Sequence, residues 1–233
     1  MLMFMGMYGR GELDEREREE RESGEGMERS AITCANEALS LLKPAPDAQI
    51  TTKPFLHVSN SVLQVLDKIG PTMAVMRQDL HRNVQRVEKF YDTNPSIYCD
   101  LFEIVKKEAE EGVAKKPTSC TRAIVWLTRS LDFAASFLEK LMENSDRDLV
   151  QVVKESYDAT LKPWHGWISS RAFEVALKLV PDRKTFLKTI TEDGEDNDAV
   201  KEKLKNLVSS LTPFLEEIHA FLTTLRLNRL KSP

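Results

Sequence analysis

The chain has 233 residues, a length suited to one domain, and no stretch approaches the roughly 20 apolar residues of a membrane-spanning helix. Its net charge of −4 resides in residues 1–29, which hold nine acidic and five basic side chains; the balanced remainder lacks the basic footprint of a nucleic-acid binder. Cys34, Cys99 and Cys120 are odd in number and far apart, which argues for free thiols and a cytosolic location.

In chain order, the opening MLMFMGMYGRGEL has neither the basic start nor the small-residue cleavage site of a secretory signal. Glu12–Glu28 is rich in Glu and Arg with no apolar stripe, too little apolar surface to offset the entropy of ordering. Ser30–Lys43 carries Ile32, Ala35, Ala38, Leu39 and Leu42 at helical spacing, ended by Pro44 and Pro46. Residues 1–48 are therefore expected to form a flexible extension containing a short helix, and residues 49–233 the folded domain. Within that domain the apolar period is helical throughout. Helices are predicted over Phe55–Ile69, Thr72–Phe90, Pro95–Glu111, Thr118–Glu143, 146–161 and 164–180, with a short piece from Pro181 and a loop over Thr191–Asn197. Two last helices are expected on either side of Thr212-Pro213. The fold class is all-α, with about eight helices.

Three groups of residues stand out. Asp79, Asn83 and Arg86 share a helical face away from the stripe of Met76, Leu80, Val84 and Val87. A carboxylate, an amide and a guanidinium match the hydroxyls of a sugar, although most such triplets are solvated helix faces. Trp126 lies in the block SCTRAIVWLTRSLDF; it is either core or a flat surface for stacking on a pyranose ring. His165 lies between Trp164 and Trp167. It reads either as a core histidine with a backbone partner or as a donor to a buried ligand carbonyl.

Patterns for catalysis, metals and cofactors are missing. Glu216-x-x-His219 has no second copy to complete a di-iron site, and Asp193–Asp198 lacks the glycine and glutamate of a calcium loop. There is no phosphate-cradling glycine loop, nucleophile elbow or zinc spacing. No enzyme activity, cofactor or metal is expected.

Taken together, Asp79, Asn83 and Arg86, the VWLTR block and WHGW, in this order and separation, resemble the glycolipid transfer protein family from about Lys53 to Leu225. The resemblance implies a two-layer helical fold that sandwiches lipid chains, and non-enzymatic transfer of sphingolipids between membranes. It further implies sugar and amide binding by Asp79 and Asn83, a basic headgroup contact at Arg86, sugar stacking on Trp126 and binding of the ceramide carbonyl by His165. Trp167, Ile168 and Arg171 match the surface that docks transiently on the bilayer. The partner is thus a sphingolipid bound by a monomer. Asn83 and Trp126 match the sugar-binding branch, whereas Arg122 matches the branch for ceramide-1-phosphate, and Arg82 stands where the sugar branch often has glycine. Glycosylceramide is the expected cargo, with ceramide-1-phosphate transfer, or a sphingolipid sensor acting through a signalling partner, as alternatives. An acidic Phe-Phe segment used by some members to reach a receptor lacks its acidic residue at Pro54-Phe55-Leu56-His57.

Overall fold

A computed structural model describes residues 30–41, 50–143, 146–192 and 194–231. Among these residues there are nine α-helices and no strand. They are α1 (Ala31–Ser40), α2 (Thr52–Ile69), α3 (Ala74–Tyr91), α4 (Leu101–Glu110), α5 (Cys120–Glu143), α6 (Leu149–Thr160), α7 (Trp167–Leu177), α8 (Arg183–Ile190) and α9 (Asn197–Thr224). Short 3₁₀ turns at Pro71–Met73 and Lys162–Trp164 lead into α3 and α7. The segment Glu12–Glu28 lies outside the described residues.

The helices begin where side chains satisfy their first N–H groups. Ser30, Asp100, Asp148, Asp182 and Asp196 each accept from a backbone N–H of the helix that follows. The long helix α5 is capped from outside: buried Glu108 on α4 accepts from the N–H groups of Cys120 at 2.8 Å and Thr121 at 2.6 Å. That bond fixes where α5 starts, and hence the register of Arg122 and Trp126. Gly70 ends α2 at φ 104°, a conformation that favours glycine, and with Pro71 it turns the chain onto α3.

Two groups of helices enclose the core. Helix α2 packs on α1, α3 and α8, while α5 packs on α3, α4, α6 and α9; α9 also packs on α1. The largest fully buried side chains include Phe55, Leu101, Ile104, Ile124, Leu127 and Leu131. An isolated bridge between Thr51 and Asp100 ties the start of α2 to that of α4.

Three expectations need correction. The short helix placed in the N-terminal extension is α1, and it is packed into the domain: Ala31, Ile32, Ala35, Ala38 and Leu39 are all at most 4% exposed. Polar bonds hold it as well, from Asn36 Nδ2 to the Lys203 carbonyl at 3.0 Å and from Thr33 Oγ1 to Glu192 at 3.0 Å. The folded unit therefore includes residues on the N-terminal side of residue 49. The two last helices are one, α9, running through Pro213. Proline removes one N–H, but Pro213 is on the exposed face, and Leu207, Leu211, Phe214, Leu215 and Ile218 keep one buried stripe across it. The third predicted helix starts at Leu101 rather than Pro95, because Asp100 caps it there.

Candidate functional site

The interior holds a cavity of about 180 Å³. Its walls come from α1 (Ala31, Ile32, Ala35), α2 (Val58, Val62, Val65, Leu66), α5 (Leu131, Phe133, Phe137, Leu138) and α6 to α9. Among the described residues Ser61 is the one polar side chain in the lining, and its hydroxyl is spent on the His57 carbonyl within α2. A cavity so lined stays dry and accepts hydrocarbon.

A small apolar cluster of Tyr157, Leu161 and Phe173, with Trp126 and Phe133 against it, leads from the cavity to the rim. Phe173 lines the cavity and stacks on Tyr157, with ring centroids 3.5 Å apart and planes within 6°. The Tyr157 hydroxyl lies 3.1 Å from His165 Nδ1 and donates to Ser170 Oγ at 3.3 Å. It has one proton for two neighbours. With that proton on the Ser170 side, Nδ1–H of the imidazole donates to the tyrosine oxygen. When Tyr157 instead donates to Nδ1, the ring proton of a neutral His165 sits on Nε2. Burial, and then the Arg129 charge, push the His165 pKa below its usual range, so the ring is neutral at neutral pH.

Trp126 and His165 are brought together, with ring centroids 5.4 Å apart. Behind them stands Arg129, only 2% exposed, its guanidinium 4.9 Å from the Trp126 ring and 4.1 Å from that of Trp164. Arg129 donates to the carbonyls of Asn228 and Leu230, and Arg122 to that of Lys231. The C-terminal segment reaches them through a turn after α9. Leu227 N–H bonds the Leu222 carbonyl at 2.8 Å and Arg226 N–H that of Thr223 at 3.0 Å. This pairing is that of a Schellman cap. Arg226 holds the left-handed position (φ 55°) where glycine is usual, and Leu227 is buried after it.

Asp79, Asn83 and Arg86 project from α3, which packs on both α2 and α5. Asp79 is open to water on one side, yet its pKa is raised because desolvation outweighs the attraction of Arg82 and Arg86. No hydrogen bond within the described residues engages the carboxylate of Asp79 or the amide of Asn83, so both keep their capacity for a ligand. Arg86 is more committed, donating to the carbonyls of Pro117 at 3.3 Å and Ser119 at 3.4 Å. His219, of the Glu-x-x-His pair, binds the Asp132 carboxylate at 2.8 Å. Among the described residues no cluster of His, Cys, Asp and Glu could hold a metal, and Cys120 is a buried thiol pushed up to about 12 by desolvation.

Trp167 and Ile168 open α7 at 77% and 55% exposure. Arg171 is ion-paired with Glu174 at 2.8 Å in the open. Sequence reasoning missed that Val175 and Leu179 are exposed too; positions 168, 172 and 175 are one stripe of α7 and contained the signal, and Leu179 lies just past the helix end. It also missed Arg129 and the C-terminal segment, whose pairing is long-range, and Tyr157, which faces His165 eight residues on.

A dry interior joined to a rim of polar and aromatic groups fits an amphipathic lipid, chains inside and head outside. Comparison with known proteins agrees. A model of the glycolipid transfer protein family matches residues 50–192. Glycolipid transfer protein 2 of Arabidopsis thaliana is 47% identical over 214 residues, which is 89% of this chain and 96% of that one. Glycolipid transfer protein 3 of the same species is 44% identical over 214 residues, 87% and 92% respectively. A solved structure on how FAPP2 selects simple glycosphingolipids using the GLTP-fold superposes with a TM-score of 0.79 at 27% identity, over 87% of this chain and 100% of that one. The chain belongs to the glycolipid transfer protein family. Its chemistry is accordingly that of a lipid transfer protein, not an enzyme.

Proposed function

We propose that this protein transfers glycosylceramide between membranes, with Asp79 and His165 pairing the ceramide amide and Trp126 stacking on the sugar. An amide between two hydrocarbon chains offers one N–H and one C=O, and leaving either unpaired costs about 1–3 kcal/mol. Asp79 accepts the N–H. His165 donates to the carbonyl from Nε2, once Tyr157 holds Nδ1. The chains enter the cavity behind Phe173, at a gain of about 0.8 kcal/mol per methylene removed from water.

The observation that carries the sugar over a phosphate is the engagement of Arg122 with the Lys231 carbonyl. A phosphate would have to displace that bond, and it would meet neutral Asn83 and Trp126 and the Asp79 carboxylate. Trp126, covered on one side by Arg129, keeps exposed area that a pyranose can cover. Ceramide-1-phosphate remains the second reading, favoured by the charges of Arg82 and Arg86 near Asp79.

The protein works as a cytosolic monomer that docks transiently through Trp167, Ile168 and Arg171, with Val175 and Leu179 extending the same face. Tryptophan suits the headgroup level of a bilayer, one edge apolar and the other wet. No helix among the described residues is long and apolar enough to cross a membrane, and the three cysteines are free.

The test is vesicle-to-vesicle transfer of glucosylceramide, ceramide-1-phosphate and phosphatidylcholine side by side, with Trp126→Ala and Arg122→Ala. Glucosylceramide should move fastest and Trp126→Ala should lose more than Arg122→Ala. Faster ceramide-1-phosphate transfer with the larger defect at Arg122 would establish the second reading. Tight binding without transfer would mark a sensor.

A further inference from the structure

The side chain that joins the parts of the headgroup site is Arg129, which the sugar itself need not touch. It lies at i+3 from Trp126 on α5 and is buried. A guanidinium has two weakly hydrated faces that stack on aromatic rings and an edge that donates hydrogen bonds. Arg129 uses both: its plane stands against Trp126 and Trp164, and its edge donates to the carbonyls of Asn228 and Leu230. Neither indole N–H has an acceptor among the described residues, so ring contacts are what orient the two tryptophans.

We propose that Arg129 is the positioning residue of the headgroup site, clamping Trp126 and Trp164 against the backbone of residues 228–230 so that the stacking surface is set before a ligand arrives. The inference rests on the sugar reading and deepens it. A ring free to turn must be ordered by each incoming ligand, and binding weakens by that cost; a ring already held gives its full stacking contribution. The clamp closes a loop of about a hundred residues between α5 and the C-terminal segment. Headgroup selection is thereby coupled to the path of residues 228–230 after α9.

The experiment uses the full chain in a Trp167→Phe background, which leaves Trp126 and Trp164 as the only tryptophans. Arg129→Met and Arg129→Lys are compared for binding of short-chain glucosylceramide and short-chain ceramide, together with tryptophan emission and thermal unfolding. Loss of the clamp should weaken glucosylceramide about tenfold, the equivalent of roughly 1.4 kcal/mol, and ceramide by less than about twofold. Emission should change without ligand. Lysine keeps the charge but has neither plane nor fork, so it should fail to rescue. Truncation after Leu227 leaves Arg129 without its two carbonyls and should give the same selective loss; it carries the test if Arg129→Met does not fold. Equal weakening of both lipids in a folded variant, or an unchanged emission spectrum, would overturn the clamp. If the unmutated protein does not prefer glucosylceramide to ceramide, the cargo reading fails by itself, and the emission change alone decides whether Arg129 positions the rings.

Discussion

The His165–Tyr157 pair can be taken apart by a double-mutant cycle. His165→Leu removes the proposed donor to the ligand carbonyl, and an unpaired carbonyl costs about 1–3 kcal/mol, a loss of roughly five- to 150-fold in affinity. Tyr157→Phe is milder, because the stack on Phe173 at 3.5 Å and the burial of the ring are retained. It deletes only the hydroxyl that faces Nδ1 at 3.1 Å. One lost hydrogen bond is worth about 0.5–1.5 kcal/mol, or roughly two- to twelvefold. If Tyr157 acts by fixing His165 with its proton on Nε2, the phenylalanine substitution has nothing left to disturb once His165 is leucine. The double variant should then bind as His165→Leu does, a coupling as large as the whole Tyr157→Phe effect. Titration with short-chain glucosylceramide measures this, with helicity checked by circular dichroism. A Tyr157→Phe loss of equal size in both backgrounds would refute the relay and make Tyr157 a direct contact or a packing residue.

Asp79→Val should abolish sphingolipid binding with thermal stability unchanged or raised. The folded-state pKa of Asp79 lies above its unfolded value, so its stabilising contribution is present at low pH and lost as pH rises through the folded pKa; a fall in Tm at neutral pH would make Asp79 structural. His165 has the opposite sign of consequence: its depressed folded pKa gives stability that is full above about pH 6.5 and lost as pH falls toward the folded value. The wild type should therefore lose stability relative to His165→Leu on acidification below about pH 6.5, and a constant difference from pH 8 to 5 would contradict this. Trp167→Ala removes a side chain 77% exposed, so stability should change by less than about 0.5 kcal/mol while vesicle partitioning falls and soluble-ligand binding is spared; parallel loss of both would place Trp167 in the binding site. Arg226→Gly relieves a left-handed residue and should add about 0.5–1 kcal/mol in urea unfolding after the entropic penalty of glycine, whereas destabilisation would mean that the arginine side chain holds the turn.

Most helices were legible because their apolar period is strong and their ends are marked. The α2–α3 boundary is written in Gly70-Pro71, and the stripe of Leu80, Val84 and Val87 is the buried face of α3. Where the sequence misled, a local rule met a tertiary one. Proline ordinarily stops a helix, but at Pro213 the missing N–H faces solvent and the packed stripe continues. A short amphipathic segment beside a charged run suggests a tail, but the apolar side of α1 is covered by α2 and α9. The candidate site residues stood out because they form spaced motifs. Arg129 sits inside one of these motifs and was passed over, since its partners Asn228 and Leu230 lie about a hundred residues away and are backbone carbonyls, which no side-chain pattern records. Tyr157 was passed over for a different reason: it lies on α6, outside the spaced motifs, eight residues before the histidine it faces.

The pairing of α1 with α9 also bears on how the protein is made. Asn36 bonds the Lys203 carbonyl across 167 positions of sequence, so the first and last described helices close the same wall. On a ribosome that emits roughly 5–20 residues per second, α1 can pack on α2 early, but the side that α9 covers stays open until α9 has been synthesised. Closing so distant a contact is entropically slow. During that interval the apolar side chains that line the cavity on α1 face water rather than α9.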